Sequence, residues 1–165
     1  MRYWLGLGSN LGDRLALLRA AIAWLRGHGL AVEAVSAVFN TAPRDLPDQP
    51  DFLNAACRVA ADLDPPAVLD AAKRLERDLG RVPGVRFGPR AIDCDILLWE
   101  GGTWRDERLE IPHPRLGERL FALLPLLDLD PDLTLPDGRR LARVAAALDA
   151  RAHAVRRLGP DARLE

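Results

Sequence analysis

Arg90-Ala91-Ile92-Asp93-Cys94-Asp95-Ile96-Leu97-Leu98-Trp99 is the stretch on which the fold turns. Residues 91–99 read as a strand, and alternate side chains of a strand share a face. Ile92, Cys94, Ile96 and Leu98 then point one way, and Asp93 and Asp95 the other. The backbone positions of the two acids lie roughly 6.5–7 Å apart along such a strand. Upstream, a helix is bounded by Asp64 as cap, Pro66 in its first turn and Gly80 at its end. Val68, Leu69, Ala72, Leu75 and Leu79 form its buried stripe.

Further back, residues 52–61 and 31–40 read as strands. Residues 2–7 read as a first strand, followed by a turn over 8–13 and a helix to about Arg26. Leu15, Leu18, Ile22 and Leu25 lie on one face of that helix. The order is β-α-β-β-α-β, which predicts an α+β fold of ferredoxin-like type: an antiparallel sheet with helices on one face. Downstream come a short extended piece near Leu109–Ile111, a helix from about Leu116 and a last helix from about Leu141. The 165 residues fit a single domain spanning 1–165.

Composition narrows the function. Net charge is -1, so no overall field draws nucleic acid or an anionic membrane. The basic residues are nearly all arginine, and the one lysine is Lys73. A Walker-type phosphate loop needs Gly-Lys-Ser/Thr, which is absent. Lys73 itself, in a charged run, reads as solvated. Gly6-Leu7-Gly8-Ser9-Asn10-Leu11-Gly12 misses the dinucleotide spacing by one position. Its glycines suit a tight turn or the close approach of a flat ligand. Cys57 and Cys94 stand alone in apolar surroundings, as buried hydrophobes in a reducing compartment would. The chain has no signal pattern at its start. Its most apolar run, 120–129, is too short for a membrane span, so a cytoplasmic protein is expected. The arginine-rich end, 139–163, is interleaved with Asp, Leu and Ala and reads as a solvated helix face.

Two carboxylates projecting together repel unless a cation sits between them, and magnesium with substrate phosphates meets that need. An Asp-x-Asp alone also fits an acidic strand edge without a ligand. Arg81, Arg86 and Arg90 lead into this strand, and Arg108, His113 and Arg119 follow it. Guanidinium groups bind phosphate oxygens through paired hydrogen bonds, so the cluster points to a polyphosphate. The prolines of Ile111-Pro112-His113-Pro114 stiffen the backbone around the imidazole. Two long connections, 41–51 and 81–90, have the length of binding loops.

Four motifs stand in order: Gly8-Ser9-Asn10-Leu11-Gly12; Asp48 to Ala55; Arg86-Phe87-Gly88-Pro89-Arg90 running into Asp93-Cys94-Asp95; and Ile111-Pro112-His113-Pro114 with Arg119 and Phe121. Together they resemble the 6-hydroxymethyl-7,8-dihydropterin pyrophosphokinase family. The resemblance covers about residues 3–140. It implies transfer of pyrophosphate from ATP to the pterin hydroxymethyl group, with release of AMP. Two magnesium ions would be held by Asp93 and Asp95, with Arg81 and Arg90 acting in catalysis beside them. The pterin would stack between Phe52 and Phe121, near Asn54, Thr41, Pro43, Arg44 and Phe87. ATP would lie against Glu76, Arg81, Arg90, Ile96, Arg108, His113 and Arg119. A monomer without nucleic-acid or membrane partners is expected. Phe52 stands where the family often has Tyr, Phe87 where Trp is common, Pro83 for a basic residue, Arg44 for an apolar one, and Pro114 for an aromatic one. The 81–90 loop is one residue shorter. A competing expectation is an RNA-binding module on the same sheet, but the third strand carries one aromatic, Phe52, and lacks the stacking signature. A small-molecule regulatory domain would not need the acid pair.

Overall fold

The computed structural model describes residues 1–43, 46–82, 84 and 88–165. Its elements are β1 (Arg2–Ser9), α1 (Arg14–Gly27), β2 (Ala31–Val35), β3 (Phe39–Thr41), β4 (Phe52–Ala60), α2 (Pro65–Asp78) and β5 (Asp93–Trp99). They are followed by β6 (Trp104–Arg105), β7 (Glu110–Ile111), α3 (Leu120–Leu129), α4 (Leu141–Ala146), α5 (Ala150–His153) and β8 (Val155–Arg157). The main sheet has six strands in the order β5-β1-β4-β3-β8, with β2 also pairing β4, and every pairing is antiparallel. The fold is thus a mixed α/β arrangement around an antiparallel sheet. Among the described residues no helix is long and apolar enough to cross a membrane.

The two long helices form where their caps and stripes predict. Asp13 Oδ1 accepts from the Ala16 N–H at 3.1 Å, and Asp64 Oδ1 from the Ala67 N–H at 3.0 Å. Gly80, at φ +91°, ends the second helix in the left-handed region that glycine tolerates. Leu18, Ile22 and Leu25 of α1 and Val68, Ala72 and Leu75 of α2 are buried against Leu5, Leu7, Cys57, Val59, Cys94 and Ile96 of the sheet.

Helices cover both faces of the sheet, not one. Leu120, Leu123 and Leu126 of α3, with Leu141 and Ala145 of α4, form a second cluster against Ala56, Leu97 and Leu98. A β-bulge explains why Leu98 belongs there and not with Ile96. The β1 partner of Trp4 is Leu98 and that of Leu5 is Ile96, so Leu97 is an extra residue in β5. One inserted residue reverses the alternation beyond it. The expected 31–40 strand is also broken. At its centre the Ser36 hydroxyl accepts from the Ala56 N–H at 2.8 Å, and a side chain replaces a ladder bond. The arginine-rich end is not one helix. After the short α4 and α5, residues 155–157 join the sheet edge as β8. Periodicity in 155–157 could not reveal a partner more than a hundred residues away.

Candidate active site

On the α3 side of the sheet, Gly6 and Gly8 of β1 lie between β4 and β5 and form a floor without side chains. The flatness is required. A Cβ on Gly8 would sit 2.7 Å from Asn54 Oδ1, and one on Gly6 would sit 3.0 Å from Leu97 Cδ1. One cavity opens over this floor and a second adjoins it. The first is a slot lined by Gly6, Gly8, Thr41, Phe52, Asn54, Arg90, Asp93, Asp95, Arg119 and Phe121. The second is a basic cleft lined by Lys73, Glu76, Arg77, Arg81, Arg90, Asp93, Asp95, His113 and Arg119. Asp93 and Asp95 line both, as do Arg90 and Arg119, so the acid pair stands at the junction.

The slot has aromatic walls and a polar edge. Asn54 Nδ2 donates to Thr41 Oγ1 at 2.7 Å, which fixes the amide and leaves its Oδ1 over Gly8. The Arg90 guanidinium lies 5.0 Å from the centre of the Phe52 ring, and Arg119 lies 5.6 Å from that of Phe121.

In the cleft, Arg81 Nη1 reaches Asp93 Oδ1 at 2.7 Å and Glu76 Oε1 at 2.9 Å, and Arg90 Nε lies 3.3 Å from Asp93 Oδ2. Burial pushes the Asp93 carboxyl up, but Arg90 and Arg81 together outweigh it and hold it below its ordinary value. Asp95 lies on the same face without such help. Burial and the Asp93 charge push it up to about 7. Among the described residues no hydrogen bond or ion pair ends on Asp95; Lys73 and Arg119 act on it only at a distance. Glu76 is buried beneath the pair, accepting from the Cys94 N–H at 2.9 Å and facing Lys73 Nζ at 3.3 Å. Burial raises its pKa despite these partners.

His113 is seated on the open edge of β5, where its N–H donates to the Leu97 carbonyl at 3.0 Å. Burial, followed by the Arg119 charge, lowers its pKa to about 4, so the ring is neutral at physiological pH. Nδ1 accepts from the Arg115 N–H at 3.1 Å, which places the ring proton on Nε2 as a donor.

The structure brings Thr41, Phe52, Asn54 and Phe121 into the slot, and Glu76, Arg81 and His113 into the cleft. Pro43 is half-buried and lines neither cavity. Arg44 and Phe87 lie outside the described residues, as do Pro83 and Arg86. Ile96 and Arg108 are not brought to either cavity. Ile96 is 3% exposed in the core on the opposite face, and Arg108 reaches outward to Asp70 at 2.6 Å. Lys73, read from its charged run as solvated, lines the cleft beside Glu76.

Sequence reading also missed Asn10. Its side chain is buried; Oδ1 accepts from the Arg90 N–H at 2.9 Å and Nδ2 donates to Gln49 Oε1 at 2.8 Å. It thereby ties the 8–13 turn to both long connections. The available signal was a polar residue between apolar-strand glycines, which periodicity alone does not mark as buried.

An acid pair shared by a flat slot and a basic cleft has the chemistry of a group-transfer enzyme, since it could bring a planar acceptor up to an anionic donor. The comparisons agree. A model of the 7,8-dihydro-6-hydroxymethylpterin-pyrophosphokinase (HPPK) family matches residues 4–131. The 2-amino-4-hydroxy-6-hydroxymethyldihydropteridine pyrophosphokinase of Methylorubrum extorquens is 43% identical over 149 residues, covering 90% of this chain and 94% of that protein. The mitochondrial folate synthesis bifunctional protein of Pisum sativum is 43% identical over 125 residues, covering 76% of this chain and 24% of that protein. A crystal structure of HPPK-DHPS in complex with substrates superposes with a TM-score of 0.71 at 14% identity, covering 88% of this chain and 43% of that one, a likeness of fold. The chain thus spans about a quarter of the pea protein and under half of that crystallised chain. It belongs to the 7,8-dihydro-6-hydroxymethylpterin-pyrophosphokinase family.

Proposed function

We propose that the chain transfers the terminal pyrophosphate of ATP to the hydroxymethyl group of 6-hydroxymethyl-7,8-dihydropterin, giving AMP and the pterin diphosphate in folate synthesis. The observation that carries this reading is the position of Asp93 and Asp95, which line the aromatic slot and the basic cleft at once. A flat acceptor in the slot would present its hydroxymethyl group towards the junction, where a polyphosphate held by the cleft would end.

The donor set fits magnesium: hard carboxylate oxygens, with no cationic partner in contact with Asp95 among the described residues. Among the described residues no three His, Cys, Asp or Glu side chains gather as a complete metal set, so substrate oxygens would supply the remaining ligands. Asp93 and Asp95 would hold the metal, two ions being expected, and the bound metal would neutralise phosphate charge and polarise the transferred group.

The protein's own contribution is positioning and charge. Phe52 and Phe121 bracket the acceptor plane, and Asn54, locked by Thr41, offers it a fixed carbonyl oxygen. Arg81 and Arg90, which now face Asp93, would offer their guanidinium groups to phosphate oxygens in the cleft. Arg119 and the His113 Nε2–H meet the nucleotide side. Glu76 orients Arg81 from below.

The sheet order supports the finer description as a ferredoxin-like βαββαβ unit: counting 31–41 as one strand, it runs fourth, first, third, second. Two apolar clusters sharing that sheet support a single domain over 1–165. We further propose a monomer in a reducing, cytoplasmic setting, where the two buried cysteines remain unpaired. The test is to mix the chain with ATP, magnesium and 6-hydroxymethyl-7,8-dihydropterin. AMP forming together with pterin diphosphate is the expected result; ADP, or no turnover, would overturn the reading.

A further inference from the structure

We infer that the C-terminal strand Val155–Arg157 is a positioning element for the acceptor slot, bracing both of its walls; the inference rests on the pterin-acceptor reading above. The family match ends at residue 131, so this brace is supplied by chain beyond the matched region. One wall is β3. Val155 stands directly opposite Thr41, whose hydroxyl holds the Asn54 amide, and Arg157 stands opposite Phe39. The other wall is α3, which carries Phe121 near its start and ends beside Asp128. Arg157 reaches Asp128 Oδ1 at 2.8 Å, while Asp128 Oδ2 accepts from the Ala37 N–H at 2.7 Å. One short strand therefore ties α3 to β3 and to the connection leading into it.

The brace is itself anchored. The Leu158 N–H donates to the Val38 carbonyl at 2.8 Å, and Leu164 is buried in the main core. Arg19 Nε donates to the Arg163 carbonyl at 2.8 Å. β3 has only three residues, and its backbone would otherwise form an open sheet edge beside the 41–51 connection. A short edge strand with one neighbour is free to shift, and a shift of β3 moves Thr41 and releases Asn54.

The pairing supplies a clean perturbation. The Ala42 N–H→Ala154 O contact at 3.4 Å and the Leu158 N–H→Val38 O bond mark alternate positions as hydrogen-bonded pairs. Asn40 and Arg156 form the bonded pair between them, and the Arg156 side chain is exposed. Arg156→Pro removes that N–H; Arg156→Ala keeps it and serves as control.

Steady-state AMP formation is measured with each substrate varied in turn, together with the melting temperature. Arg156→Pro is expected to raise the pterin KM about five- to tenfold and leave the ATP KM within about twofold, as a displaced contact wall predicts. The control should match wild type. Arg157→Ala and Asp128→Asn, which spare the backbone, should raise the pterin KM about two- to fivefold, with Arg157→Lys recovering most of the loss. These two decide the matter if the proline variant fails to fold. An unchanged pterin KM, or equal rises in both KM values, overturns the inference alone. A wild-type chain that makes no AMP overturns the function reading and this inference with it.

Discussion

The two faces of the central sheet obey opposite rules. Towards α1 and α2, the strands present Leu5, Leu7, Cys57, Val59, Cys94 and Ile96, all buried and all apolar. Towards α3, the same strands present Gly6, Gly8, Asn54, Asp93 and Asp95, and α3 with α4 covers only the part near Ala56 and Leu98. The first face stabilises by removing apolar surface from water. The second keeps two carboxylates close together under arginines, an arrangement that burial and like charge disfavour until a ligand arrives. The lesson is that the packed face supplies the stability with which the functional face can remain incomplete.

Substitutions on each face test this contrast. Asp95→Ala should lower AMP formation by about 10²–10³-fold, the size expected when a preorganised charge partner is removed. Its circular dichroism and melting temperature should stay at or above wild type, because a repelled carboxylate has been deleted. Near-normal turnover would remove Asp95 from the chemistry. Leu25→Ala should do the reverse. It empties a fully buried site on the packed face, costing about 2–5 kcal/mol in a denaturant melt while kcat/KM of the folded fraction holds.

Gly8→Ala tests the flat floor. The added methyl meets Asn54 Oδ1, so the pterin KM should rise about tenfold or more, with a smaller change in the ATP KM. A pterin KM like that of wild type would show that the slot has room to spare.

The gentlest perturbation is pH. Asp95 titrates near 7 in the folded, metal-free chain against an ordinary 3.8. Between those values the folded chain binds more protons than the unfolded one, so stability falls as pH rises. The contribution of the neutral form is complete below 3.8 and lost through about 7. In EDTA, Asp95→Asn should therefore melt with wild type in acid and above it beyond neutrality. Magnesium competes with the same proton, so its apparent affinity should weaken by up to about tenfold per pH unit below neutrality. A magnesium affinity that is flat across this range would separate the cation from Asp95.

Much of this site was legible in the chain itself. The alternation of 91–99 put both acids on one face, and the four motifs pointed to the family that the comparisons show. Contacts set by distant partners were not legible. Arg108 lies in a promising run of basic residues yet pairs with Asp70 on α2. Lys73 reads as solvated yet faces the buried Glu76. Asp70 lies 38 residues from Arg108, and Glu76, though one helical turn from Lys73, is held by the Cys94 N–H of β5, so in both cases a remote segment decides the role.

Local sequence set the β-α-β-β-α-β order of residues 2–99, apart from the break within 31–40, together with the ends of α1 and α2 and the shared direction of Asp93 and Asp95. These follow from local periodicity and capping, which act over a few residues. Packing in three dimensions set the bulge at Leu97, which turns Leu98 to the second core, and the seating of His113 on the Leu97 carbonyl. It also decided the Asn10 knot and the return of residues 155–157 to the sheet edge. Register is set by which side chains two paired strands bury together, and the partner strand lies far away in the chain, so one segment read alone reveals neither its bulge nor its edge partner.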